Sequence, residues 1–111
     1  MSNQVQAIEA NIKAARKLID LADALERLKS NRDFRTIVIE GYFENEAIRL
    51  VQAKANPSLQ SPEMQKSILT QIDAIGNLNL YFTTVAQQAA LARKSIEQDE
   101  EARDEILAEE A

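Results

Sequence analysis

Three carboxylates lie close together near the middle of the chain, Glu40, Glu44 and Glu46, with Arg49 shortly after. On a helix, a spacing of four sets Glu40 and Glu44 on one surface, with Glu46 and Arg49 further round. Paired carboxylates are what a divalent cation or an acid–base pair requires. The rest of the chemistry is missing. The chain has no histidine and no cysteine, which removes the commonest general base, the commonest transition-metal ligand and the thiolate nucleophile. A di-iron site built on Glu-x-x-His pairs is excluded in its usual form. The calcium-loop pattern, a glycine-rich phosphate loop and a nucleophile elbow are also absent from the sequence. The expectation is a protein that is not an enzyme and takes no metal and no cofactor.

Charge offers the next candidates. Lys13, Arg16 and Lys17 form one basic group, and Arg27, Lys29, Arg32 and Arg35 form another that would suit phosphates. Asp20, Asp23, Glu26 and Asp33 interleave with them, which favours an internally paired, solvated surface over a nucleic-acid partner. Residues 1–96 carry twelve Lys/Arg against ten Asp/Glu, a balance of +2. Residues 97–111 carry eight acids against Arg103, a balance of −7, and together these give the net charge of −5. The expected organisation is a helical domain over 1–96 followed by an acidic helical extension or frayed tail over 97–111. Acids at a helix C-terminus oppose the dipole, hence the expectation of fraying. Asp99, Glu100, Glu101, Asp104 and Glu105 are the candidates for docking a basic partner.

These groups are positioned by helices. Two glycines and two prolines among 111 residues leave little turn chemistry and argue against a β fold. Ser61-Pro62-Glu63 is a helix start: serine caps free N–H groups, proline suits the first turn, and the acid suits the positive end. From there Ile68, Ile72, Ile75, Leu78, Phe82, Val85, Ala89, Ala92 and Ile96 recur in steps of three and four, one seam of a single long helix. Leu69, Gly76, Leu80 and Leu91 form a second, weaker stripe. A first helix is predicted over 3–29, also with two stripes. One is Val5, Ile8, Ile12, Ala15, Ile19 and Ala22; the other is Leu18, Leu21, Leu25 and Leu28.

Between these, Asn31 or Asp33 caps a middle helix that ends before Asn56-Pro57, because a residue preceding proline avoids α geometry. Thr36–Phe43 has strand propensity, but Glu40 interrupts it and no second strand-like run exists to pair with it. Helix is therefore preferred, with Gly41 inside it at a close helix–helix contact. The expected fold is all-α, a helical hairpin or three-helix arrangement with a long C-terminal helix. The surplus stripes imply packing in a homo-oligomer through the long helix's seam. No apolar run approaches the roughly 20 residues of a membrane span, so no membrane partner is expected.

Residues 31–51 (NRDFRTIVIEGYFENEAIRLV), 56–63 (NPSLQSPE), 72–85 (IDAIGNLNLYFTTV) and 97–106 (EQDEEARDEI) together resemble small all-helical structural and assembly proteins of tailed bacteriophages. The resemblance covers most of the chain and its motifs are structural, so it assigns no site residue. It implies a virion component or assembly protein, acting through contacts with itself and with other phage or host proteins, in the host cytoplasm or the virion. Two alternatives stand beside it. One is a small regulator that inhibits a host nucleic-acid enzyme with its acidic tail. The other is a DNA-packaging subunit of the small terminase type that uses the Arg27–Arg35 cluster.

Overall fold

The computed structural model describes residues 2–111. Helices α1 (Asn3–Lys29) and α3 (Pro62–Glu110) flank a middle helix, α2, over 32–55. The middle helix has three parts: an α turn Arg32–Phe34, a π-helical stretch Arg35–Glu46, and an α-helix Ala47–Ala55. A single 3₁₀ turn, Pro57–Leu59, joins α2 to α3. No strand occurs among the described residues, and Thr36–Phe43 is helical.

Each boundary has a local cause. Asn31, in extended conformation, accepts a hydrogen bond from the Phe34 N–H at 2.9 Å and starts α2. Asn56 ends α2 and caps the next turn by accepting from the Ser58 N–H at 2.9 Å. The Gln60 side-chain amide donates to the carbonyls of Lys54 and Asn56, and that of Gln65 to Lys54 and Leu59. Carbonyls that the end of α2 leaves without a helical partner are satisfied this way. Ser61 Oγ accepts from the Met64 N–H, and α3 begins. The acidic segment 97–110 remains helical.

Packing divides the chain into two compact units, one formed by residues 1–25 and 84–111, the other by 26–83. In the first unit, α1 buries Val5, Ile12, Ala15, Ala22 and Leu25, and α3 buries Val85, Ala89 and Ala92. The α1 set steps by seven and three and the α3 set by four and three, so each is one face of its helix and the two faces cover one another. Two ion pairs report the register: Arg16 to Glu100 at 3.5 Å and Asp23 to Arg93 at 3.7 Å. Moving seven residues back along α1 moves seven forward along α3, so the strands are antiparallel and keep heptad step. Four of the buried residues are alanines, which lets the two backbones approach closely.

In the second unit, Leu50, Ile68 and Ile75 form a buried core, and Tyr42, Phe43, Ala47, Ala53, Leu59 and Ile72 pack around it. Burying each aliphatic side chain of that core stabilises the fold by about 1.5–3 kcal/mol. The five aromatic residues of the chain make one linked cluster in this unit. Phe82 meets Phe34 at 6.1 Å between ring centres, Phe43 edge-on at 5.8 Å and Tyr81 at 6.2 Å. Tyr42 joins through Phe43 at 6.0 Å.

Candidate functional site

The Glu40–Arg49 stretch is dominated by its helix geometry. Within the π-helical part each N–H bonds five residues back, so the chain turns about 82° per residue instead of 100°. Inward positions then recur every four to five residues, and the partly buried side chains follow that step: Phe34, Val38 and Ile39, Tyr42 and Phe43, Ala47. Thr36 Oγ1 donates to the Arg32 carbonyl at 3.0 Å where this stretch begins, a back-bond that commonly distorts helices. A Cβ added at Gly41 would lie 3.0 Å from the Thr36 carbonyl oxygen, in its own helix. The reason for glycine is therefore the wide turn itself and not a neighbouring helix.

Glu40 and Glu44 are exposed. Glu46 instead pairs with Arg49, whose Nε donates to Glu46 Oε2 at 3.0 Å. That hydrogen bond holds the Glu46 carboxyl below the usual carboxylate range, with the positive charge of Arg49 adding to it, and raises Arg49 in turn. Among the described residues no group of three or more carboxylates is gathered as a metal site would need.

The long seam of α3 is filled by the chain itself. Ile68, Ile75, Val85, Ala89 and Ala92 are buried, and Ile72, Leu78, Phe82 and Ile96 are half-buried. The weaker stripes are left outside. On α1, Leu18, Leu21 and Leu28 are exposed while Leu25 is covered; on α3, Leu69, Leu80 and Leu91 are exposed, Leu91 to 69%. Of two stripes on each helix, one builds the interior and the other faces outward. The sequence showed both stripes but carried no signal for which would be covered.

The acidic end is partly engaged within the first unit. Glu100 pairs with Arg16, and Asp104 with its neighbour Arg103 at 3.3 Å. Asp99 is half-buried, on the continuation of the buried face of α3, while Glu101 and Glu105 point to solvent. Arg16 and Asp23, whose spacing would pair them with Asp20 and Arg27 on the same helix, reach across to α3.

Two edges of this helix pair differ sharply. One carries the ion pairs just described. The other is a groove of about 420 Å³ lined by Asn11, Ala14, Ala15 and Leu18 of α1 and Gln88, Leu91, Ala92 and Ser95 of α3. None of these eight side chains is charged. No helix among the described residues is long and apolar enough to cross a membrane. Comparison with protein-family models, characterised proteins and solved structures finds no match to this chain.

Proposed function

We propose that this chain is a non-enzymatic helical protein that acts through protein–protein contacts, as an assembly or structural component of a tailed-phage particle. The exposed leucine stripes carry the contact part of the reading. Leu18, Leu21 and Leu91 stand outside a seam that is already filled, as do Leu28, Leu69 and Leu80 in the other unit. Apolar rows left outside a satisfied interior mark surfaces that partners cover. The resemblance of residues 31–51, 56–63 and 72–85 to phage assembly proteins supplies the biological setting. Glu101 and Glu105, exposed at the end of α3, offer a second, electrostatic contact for a basic partner.

The test is genetic and biochemical. In the encoding phage, removal of the gene stalls particle assembly, and the protein sediments with assembly intermediates or finished particles. Normal particles without the gene, together with a protein that never sediments with them, would overturn the reading.

A further inference from the structure

The geometry points to the uncharged edge of the unit formed by residues 1–25 and 84–111 as the face on which a second copy of this chain docks, forming a four-helix bundle. The inference rests on the reading of the chain as a contact protein and names the partner and the surface.

The first observation is charge. Along α1 the side chains on this edge are Gln4, Ala7, Asn11, Ala14, Leu18 and Leu21. Along α3 the corresponding heptad positions are Thr84, Gln88, Leu91, Ser95, Gln98 and Ala102. All twelve are uncharged in a chain where 28% of residues carry charge, and the run ends at Glu105, the next position along α3 on this edge. The opposite edge, at the same heights, carries Arg16, Asp23, Arg93 and Glu100. With a net charge of −5, two copies meeting through the 97–111 surface would set acid against acid. On the uncharged edge no like charges meet and no ion loses its water.

The second observation is shape. A two-fold interface presents the same patch from both sides, so the patch must hold both projections and a recess. Leu18 and Leu91 project, 37% and 69% exposed, and the groove between them is floored by the small residues Ala14, Ala15, Ala92 and Ser95. The leucines of one copy therefore have a recess of matching chemistry on the other.

The third is size. The edge runs about 30 Å, the length of some twenty helical residues, and is about 20 Å wide, the width of two packed helices. That is roughly 600 Å² per copy, or about 1,200 Å² in total, the lower bound for a specific stable interface. Two antiparallel helix pairs stacked this way complete the second layer that a two-helix layer lacks.

The test uses the full chain, measured by light scattering coupled to size exclusion over a range of concentrations. The expected mass is twice 12.4 kDa. Leu91→Glu places a charge on the patch and should weaken dimerisation at least tenfold. Val51→Glu, at an exposed apolar residue of the other unit outside the leucine stripes, should leave it unchanged. Because Leu91 is mostly exposed, the variant folds, and an unaltered helical circular dichroism spectrum and melting temperature verify that. A dimer that ignores Leu91→Glu would overturn the proposed surface. A wild-type monomer at every concentration would overturn self-docking, yet co-sedimentation of that monomer with phage particles would still uphold the assembly reading.

Discussion

Phe34 and Phe43 lie nine residues apart on one helix, yet both rest on the ring of Phe82. At the 100° per residue of an α-helix they would point in opposite directions; at about 82° they return to one face. The π-helical stretch 35–46 is thus the device that gathers two phenylalanines onto a third.

Phe82→Ala should cost about 2–4 kcal/mol, less than a fully enclosed phenylalanine because the ring is only half-buried. Double-mutant cycles of Phe82 with Phe34 and with Phe43 should each return about 0.5–1.5 kcal/mol of coupling. The chain has no tryptophan, and both tyrosines sit in this cluster. Near-ultraviolet circular dichroism therefore reads the cluster alone, and an unchanged spectrum in Phe82→Ala would refute its placement as the hub.

The two glycines should respond to alanine with opposite signs. At Gly76 a methyl group meets nothing within 4 Å, so Gly76→Ala should stabilise α3 by about 0.5–1 kcal/mol. At Gly41 the methyl would press on the Thr36 carbonyl at 3.0 Å. The crowding there should outweigh the propensity gain and destabilise the protein by about 1 kcal/mol. Chemical denaturation of both variants decides it, and equal effects would remove the wide turn as the reason for Gly41.

Glu46 titrates below an ordinary glutamate because of its hydrogen bond from Arg49. A carboxyl whose folded pKa is depressed contributes stability that is full above the unfolded value and is lost as pH falls through the folded one. The contribution is small, since the pair is exposed. Carboxyl-detected nuclear magnetic resonance should place the Glu46 midpoint below the ordinary glutamate value, and Arg49→Ala should move it upward. A midpoint unmoved by that substitution would exclude the pair in solution.

The cross-helix ion pairs report register more than they add stability. Arg16–Glu100 and Asp23–Arg93 are both solvent-accessible, so double-mutant cycles should give about 0.5 kcal/mol or less for each pair at moderate salt, fading as salt is raised. Couplings well above 1 kcal/mol would imply a drier interface than the one described.

Helix bounds were legible because punctuation residues act locally. Ser61-Pro62, Asn56-Pro57 and Asn31 each satisfy or terminate a backbone ladder within a few residues. The stretch 35–46 was harder to read because its inward step of four to five matches neither a strand nor an α-helix. A search for spacing such as Phe34, Val38, Phe43 and Ala47 would have revealed it. The partners of Arg16 and Asp23 were out of reach for a different reason. Intrahelical spacing offered equally good ion pairs, and only the antiparallel register of α1 and α3 selects the cross-helix ones. The exposed leucines were visible as stripes, but a stripe names a face and not what covers it.

The two units also differ in how the chain must assemble them. Residues 26–83 form one continuous stretch, whereas the other unit draws on 1–25 and 84–111. Its halves meet only at the entropic cost of closing a long loop, unless the intervening segment has already ordered. The continuous unit, rich in local contacts, should therefore form first in refolding and the discontinuous one last. On the ribosome the order is stricter still: Val5 and Ile12 of α1 are synthesised well before residues 84–111, the other half of their unit.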